Sequence, residues 1–211
     1  MNRYRVRPAD ELAAGMLADA SGLGLSAAQV LLHRGIHSAE EASPFLDARL
    51  RSLSSPDDMA DRGLASERVA RAIRAGERIV VFGDYDVDGT TSAVILSEVI
   101  AALGGEVRTL IADRFKGGYG LSAEAVDRCL SEGPGLLITC DCGSSDHERI
   151  ATANAAGVDV IVVDHHLVPE EALPAFAFLN PHRPECGFPY KGLCSAGLAF
   201  SLGAALRAEL G

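Results

Sequence analysis

The feature that most constrains this 211-residue chain is an apolar run that ends in three closely spaced aspartates. Residues 79–83 read Ile-Val-Val-Phe-Gly, which is typical of a strand buried on both faces of a sheet. Asp84, Asp86 and Asp88 follow at alternate positions, and the apolar stretch 93–103 has the length of a helix. The carboxylates therefore lie where a strand ends and a helix begins, which is where ligands bind in open parallel sheets.

Two interpretations of these aspartates are open. Three neighbouring carboxylates repel one another unless a cation neutralises them, which predicts a metal site. Alternatively, they form a plain acidic turn that caps the following helix. The metal interpretation is favoured because one turn rarely needs three acids and because matching ligands occur elsewhere in the chain.

From residue 64 onward, segments of strand length and helix length alternate, which predicts an α/β fold with a parallel β-sheet flanked by helices. We expect strands and helices over these ranges: strands 78–83, 106–112, 136–140, 159–163 and 176–179; helices 64–75, 90–103, 122–131, 146–156 and 195–208. Residues 1–63 show only short stretches with helical spacing. The sequence therefore predicts a short helical N-terminal lead-in, 1–63, followed by an α/β catalytic domain, 64–211.

Composition limits the class of protein. The formal net charge is −10, so a nucleic-acid-binding role would require a local basic surface. The five cysteines are odd in number and include no C-x-x-C pair, which favours reduced thiols over a zinc site or a disulfide framework. The N-terminus has no apolar core of signal-peptide length, and no run approaches the ~20 apolar residues of a membrane span. We expect a cytoplasmic protein with no membrane partner.

Two further predicted strands also end in possible metal ligands. Asp141 follows the strand 136–140, and Asp164, His165 and His166 follow the strand 159–163. Because the carboxyl ends of parallel strands share one edge of a sheet, these side chains should converge with the aspartates at 84–88. A mixture of aspartate and histidine ligands favours Mn²⁺, and suits Mg²⁺ less well.

These segments carry a resemblance to a known family. Asp-His-His at 164–166, D-Y-D-V-D-G at 84–89 and T-C-D-C-G at 139–143 resemble the DHH phosphoesterase superfamily. Within it, the chain is most similar to the RecJ-type single-strand-specific DNA exonucleases. That narrower resemblance depends on further segments along nearly the whole chain: 31–47, 113–122, 162–175, Asn180-Pro181 and 188–200. The order of these segments is more specific than the DHH triplet alone.

The resemblance implies a role for each candidate ligand at a centre of two divalent ions. Asp86 would bind one ion and Asp88 the other, Asp141 would bridge both, and His165 would bind the second. Asp84 would complete the first site, where Phe82 replaces a histidine that is common in the superfamily.

The resemblance also implies how the phosphate is handled. His166 would face the scissile phosphate as a hydrogen-bond donor or general acid. Asp164 would orient an imidazole, as histidines that bind metals usually require.

The same resemblance implies single-stranded DNA as the substrate, degraded from the 5′ end to mononucleotides. Arg114 or Lys116 would hold a phosphate, and Tyr119 would stack on a base, unless this segment is only a solvated loop. A second, weaker basic set comprises His182, Arg183 and Lys191, with the same alternative. No protein partner is implied.

RecJ-type proteins continue beyond the part that this chain resembles. The resemblance implies a further strand-end aspartate after the helix 195–208 and a later substrate-binding domain, neither of which these 211 residues contain. We therefore expect weakened binding at the second metal site and weak or no activity from this chain alone.

Two other functions remain open. The first is a DHH hydrolase of small phosphates, such as short oligonucleotides, cyclic dinucleotides or pyrophosphate, and the second is a non-catalytic DHH-like scaffold. A Rossmann-type nucleotide-binding protein is disfavoured because no G-x-G-x-x-G follows the first strand.

Overall fold

The computed structural model describes residues 5–47, 49, 53–115, 118 and 120–211. The chain divides into two compact units, 1–53 and 54–211. The segment 54–63, which the sequence places with the lead-in, belongs to the second unit, because Met59 is buried in the core of that unit.

The first unit contains three short helices, α1 (Glu11–Ser21), α2 (Leu25–Leu32) and α3 (Ala39–Leu46). Helix α3 begins where a Ser-x-x-Glu pattern predicts a capping box, and the Ser38 hydroxyl accepts a hydrogen bond from the Glu41 amide at 3.2 Å. Small and branched apolar side chains from all three helices form the core of this unit: Ala14, Leu17, Ala18, Ala28, Leu31 and Ala42.

The second unit is built on a five-stranded sheet in which every strand pair is parallel. The strands are β1 (Ile79–Gly83), β2 (Val107–Ile111), β3 (Leu136–Cys140), β4 (Asp159–Val163) and β5 (Ala177–Leu179), in the spatial order β2-β1-β3-β4-β5. The helices are α4 (Arg62–Ala75), α5 (Val87–Ala102), α6 (Ala123–Ser131), α7 (His147–Ala155) and α8 (Ser195–Leu210), and a short 3₁₀ helix (Pro56–Asp58) precedes α4. The predicted fold class is confirmed.

Each face of the sheet has its own apolar core, because successive side chains of a strand point to opposite faces. Ile79 and Val81 of β1 belong to the core that also contains buried residues of α4, α5 and α8. Val80 and Phe82 belong to the core that contains buried residues of α6 and α7. All five residues of β1 are buried, which explains why this strand reads as a continuous apolar run.

The largest difference from the predicted element bounds is at the start of α5. The prediction began this helix at residue 90, whereas it begins at Val87 because the Asp86 side chain caps it, accepting a hydrogen bond from the Gly89 amide at 2.9 Å. The capping interpretation thus holds for Asp86, and Asp88 lies in the first turn of the helix.

No single helix among the described residues is long and apolar enough to cross a bilayer. Helices α1 and α2 meet that criterion only as a pair bent by 110°.

Candidate metal centre

The candidate centre lies at the carboxyl ends of three neighbouring strands. Gly83 of β1 is in register with Cys140 of β3, which is in register with Val163 of β4. The next residue on each strand is an aspartate: Asp84, Asp141 and Asp164. Because the strands are parallel and end at the same level, three residues far apart in sequence enter one site.

Two glycines allow α5 to start close against the end of β1. A Cβ atom on Gly89 would lie 2.5 Å from the backbone oxygen of Asp84, and one on Gly83 would lie 2.6 Å from the backbone oxygen of Gly89. No side chain fits at either distance, so the close approach depends on glycine. It keeps Asp86 and Asp88, at the start of α5, beside the strand end that carries Asp84.

The backbone at Asp141 is unusual. Its φ angle is +61°, a left-handed conformation that non-glycine residues rarely adopt. The Asp141 amide donates a hydrogen bond to the Val163 oxygen at 2.9 Å, which continues the pairing of β3 with β4 into this position. Such local strain is tolerated at functional sites when the surrounding structure holds the residue in place.

The aspartate and histidine donor atoms form two groups. Asp84, Asp86 and Asp141 place one carboxylate oxygen each within 4.8 Å of one another, and Asp141, His165 and His166 form a second group on the same criterion. Asp141 is common to both groups, so it occupies the position that the resemblance implies for a bridging ligand.

The carboxylate of Asp141 is poorly suited to this environment without a cation. Burial and, after it, the negative charges of Asp88 and Asp86 together raise its pKa to about 7. The residue itself is only 2% exposed. A divalent cation would remove this penalty, because its charge favours the ionised carboxylate.

Asp84 supplies the clearest sign that the protein atoms alone leave the site incomplete. It is fully buried, and its Oδ1 accepts a hydrogen bond from the Gly120 amide at 3.2 Å. Its Oδ2 is also buried and has no hydrogen-bond partner among the described residues. Since buried polar atoms are nearly always paired, an oxygen of this kind fits a metal ligand.

The two histidines have different surroundings. His165 Nε2 lies 3.3 Å from Asp141 Oδ1 and 3.5 Å from Asp88 Oδ2, so the imidazole sits beside two carboxylates. His166 Nδ1 lies 2.7 Å from Asp164 Oδ1. A carboxylate of lowered pKa can only accept, so Nδ1 carries the proton in this bond. Burial lowers the pKa of His166, but the bond with Asp164 and the nearby carboxylates outweigh burial and raise it.

Asp164 is the centre of a buried network behind the histidines. Its oxygens accept hydrogen bonds from the amides of Ser144, His165 and His166, at 3.0, 2.7 and 3.2 Å. Burial raises the pKa of Asp164, but its bonds from Ser144 and His166 prevail and hold the pKa below its ordinary value. Asp164 therefore orients the His166 imidazole, as expected.

Asp88 has partners that its sequence position does not suggest. Both of its oxygens accept hydrogen bonds from the first turn of α8: Oδ2 from the Ser195 amide and Oδ1 from the Ala196 amide, each at 2.8 Å. Asp88 lies beside His165 but belongs to neither of the two donor groups among the described residues. Its assignment as a ligand stays a prediction.

No role was predicted for three residues of the site, namely Ser144, Asn180 and Ser195. The Ser195 hydroxyl donates to Asp141 Oδ1 at 3.1 Å, and the Asn180 amide group donates to the His166 oxygen at 2.9 Å and to the Ser144 hydroxyl at 3.2 Å. Ser195 and Asn180 lie in segments that carry the family resemblance, and that resemblance is the sequence feature from which their roles could have been suspected.

The predicted substrate-binding residues are only partly described. Arg114 lies over the ring of Tyr85, 4.6 Å from its centroid, and Tyr85 stands between Asp84 and Asp86 in the sequence. Lys116 and Tyr119 lie outside the described residues. Phe115, which was not predicted, is 93% exposed beside Arg114.

Two residues of the second basic set, Arg183 and Lys191, contact other parts of the fold. Arg183 forms ion pairs with Asp61 and Glu185, and the Lys191 ammonium donates to the Cys186 oxygen at 2.6 Å. Carboxylates neutralise the Arg183 charge, which favours the structural interpretation for that residue.

Comparison with known proteins identifies the family. The sequence model described as "DHH family, N-terminal domain" matches residues 78–210, and the chain belongs to that family. It is similar to the single-stranded-DNA-specific exonuclease RecJ of Bacillus subtilis (36% identity, covering 87% of this chain and 23% of that protein) and of Escherichia coli K12 (39%, 84% and 30%). The chain therefore spans less than a third of the length of these relatives.

Solved structures agree with that assignment. The structure of RecJ in complex with Mn²⁺ from Thermus thermophilus is similar to this fold, with a TM-score of 0.72 and 32% identity over 94% of this chain and 27% of that one. A second structure, exonuclease RecJ bound to manganese, has a TM-score of 0.68 and 34% identity, covering 75% of this chain and 40% of that one. The predicted resemblance to RecJ-type proteins is confirmed.

Proposed function

We propose that this chain is the catalytic core of a metal-dependent exonuclease that hydrolyses phosphodiester bonds of single-stranded DNA. The observation that carries the proposal is the position of Asp141, which is shared by two groups of possible metal ligands. The relatives named as single-stranded-DNA-specific exonucleases support the substrate, and those bound to manganese support the metal.

The first of two divalent ions, Mn²⁺ or Mg²⁺, would be held by Asp84, Asp86 and Asp141. Asp141 would also hold the second, with His165 and Asp88. The Oδ2 of buried Asp84, which lacks a hydrogen-bond partner among the described residues, and the raised pKa of Asp141 both fit these roles. When bound, the ions would supply Lewis-acid stabilisation of the phosphate and activation of water for attack.

The other residues of the centre would orient the substrate and move protons. Asp164 holds the Nδ1 proton of His166, which fixes the ring so that its other nitrogen can meet the phosphate or its leaving oxygen. The Asn180 side-chain amide donates a hydrogen bond to the backbone carbonyl oxygen of His166 and so holds that backbone in place. Arg114 would bind a phosphate of the incoming strand, and Lys116 and Tyr119 extend that predicted contact.

The direction and strength of cleavage are finer parts of the proposal. By resemblance, degradation runs from the 5′ end to mononucleotides. By the same resemblance, we expect weak cleavage from these residues alone. The cytoplasmic location also stays a prediction.

The decisive experiment combines metal binding with cleavage. Calorimetric titration with Mn²⁺ should show two ions bound by the unmodified chain, the second more weakly than the first, with binding strongly reduced in Asp141→Asn. Single-stranded DNA labelled at the 5′ end should release labelled mononucleotide first, whereas a 3′ label should remain on shortening strands until late.

Three results would count against the proposal. A chain that binds no Mn²⁺ would favour a non-catalytic scaffold. Faster hydrolysis of a dinucleotide or of pyrophosphate than of a long strand would favour a hydrolase of small phosphates. Early release of the 3′ label would contradict the proposed direction.

A further inference from the structure

The first turn of α8 contacts two carboxylates of the centre at once. The amides of Ser195 and Ala196 donate to the two oxygens of Asp88, and the Ser195 hydroxyl donates to Asp141 Oδ1. Ser195 is fully buried, and it is 107 residues from Asp88 and 54 from Asp141 in the chain. These contacts thus join three separate segments at the site.

The backbone contacts of this turn have a structural explanation. The first amides of any helix lack partners within the helix, and Cys194, the residue that precedes α8, provides no side-chain cap. Asp88 provides that cap from another helix. This accounts for the two amides, but it leaves the Ser195 hydroxyl unexplained, since capping α8 does not require it.

The atom that the hydroxyl contacts is informative. Asp141 Oδ1, which accepts from Ser195, is also the oxygen that lies 3.3 Å from His165 Nε2. A carboxylate oxygen has two lone pairs, so one can accept the hydroxyl proton while the other remains available to a cation. The hydroxyl therefore restrains the rotation of the Asp141 carboxylate at the atom nearest the imidazole.

We propose that Ser195 is a positioning residue of the metal centre, which acts by holding Asp141 Oδ1 in the orientation that cation binding requires. This inference rests on the proposed function, because it assigns Asp141 to a metal. Hydrogen-bond partners of metal ligands commonly change metal affinity by about 10–100-fold when they are removed. Ser195 fits this description, and its hydroxyl can be deleted without removing the two backbone bonds to Asp88.

The chain offers a matched control in the same helix. Ser201 of α8 is also buried, at 9% exposure, and its hydroxyl accepts a hydrogen bond from Arg62 Nε at 2.9 Å, within the fold. Ser195→Ala and Ser201→Ala each delete one buried hydroxyl from α8. Only the first should change the metal centre.

The test measures Mn²⁺ affinity by calorimetry and, separately, stability to urea in EDTA, using the whole 211-residue chain. We expect Ser195→Ala to bind Mn²⁺ about 10–100-fold more weakly and Ser201→Ala to bind it as the unmodified chain does. Ser195→Thr, which keeps the hydroxyl, should recover most of the affinity.

The outcomes separate this inference from the proposed function. If the unmodified chain binds no Mn²⁺, the proposed function itself fails. If it binds Mn²⁺ and Ser195→Ala binds equally well, the centre stands but Ser195 does not position it. An equal loss of affinity in both alanine variants, or no recovery with threonine, would assign the effect to helix packing and overturn the inference.

Discussion

Replacing Asp141 by asparagine should stabilise the metal-free protein at alkaline pH while abolishing its response to metal. In the folded chain the pKa of Asp141 is raised from 3.8 to about 7 by burial and then by the carboxylates of Asp88 and Asp86. The folded state therefore holds this proton at pH values where the unfolded state has lost it. The contribution of Asp141 to the free energy of unfolding is therefore complete below its unfolded-state pKa of 3.8. It is lost as the pH rises through the folded-state pKa of about 7.

The size of the effect follows from these two values. Between pH 5 and pH 8 the unmodified chain should lose roughly 2–3 kcal/mol of unfolding free energy through this group. Asparagine has no charge to lose, and it can still accept the hydrogen bond from Ser195 through its side-chain oxygen. It also tolerates the left-handed backbone at this position.

The assay is urea unfolding in EDTA at both pH values, followed by the same measurement with Mn²⁺. Asp141→Asn should be the more stable protein at pH 8, with a flatter dependence on pH. Mn²⁺ at 100 times its dissociation constant should stabilise the unmodified chain by about 2.7 kcal/mol and the variant hardly at all. Asp127→Asn, at an exposed site on α6, is the control and should behave as the unmodified chain.

A parallel pH dependence in Asp141→Asn and the unmodified chain would refute this reasoning. So would a variant that is less stable than the unmodified chain at pH 8 in EDTA. Either result would mean that the buried carboxylate is not the source of the metal-free protein's instability.

Three other substitutions test separate parts of the structure. Asp164→Asn should lower the rate of single-stranded DNA cleavage about 10–100-fold with unchanged circular dichroism, because it disturbs the network that orients His166; full activity would contradict that role. Arg68→Met should lower the free energy of unfolding in urea by about 2 kcal/mol. This is less than the about 3–5 kcal/mol lost when a fully buried ion pair is broken, because the two carboxylate partners of Arg68 are partly exposed. An unchanged free energy of unfolding would show that the buried guanidinium is dispensable. Gly89→Ala should cost about 1–3 kcal/mol and weaken Mn²⁺ binding, because its Cβ would meet the Asp84 backbone. Gly63→Ala, in open space on α4, should cause neither loss.

The strands and the positions of the candidate ligands were predictable from local pattern. The apolar run of β1 and the aspartates after β1, β3 and β4 required only that parallel strands end at one edge. The start of α5 was predicted three residues late, because the metal interpretation was favoured over the capping one and the helix was begun after the aspartates. The two interpretations were treated as alternatives, whereas a carboxylate that caps a helix can still offer its second oxygen to a cation.

The contacts of α8 were not predictable in the same way. The bonds from Ser195 to Asp88 and Asp141 depend on where a helix more than 50 residues away packs on the sheet. Asn180 likewise acts from the end of β5 on His166. Serine and asparagine occur at many surface positions, so residue type alone does not reveal a buried partner.

The shared level at which β1, β3 and β4 end has a consequence for folding. These strands are separated by long crossovers, and parallel pairings between distant segments form slowly. A slip of one residue would shift a strand by about 3.3 Å and turn its side chains to the wrong face. Asp84, Asp141 and Asp164 would then no longer stand side by side, and no cation could be shared across the strand ends. If the centre binds a cation as proposed, the cation would therefore stabilise only those chains whose strands have paired in register.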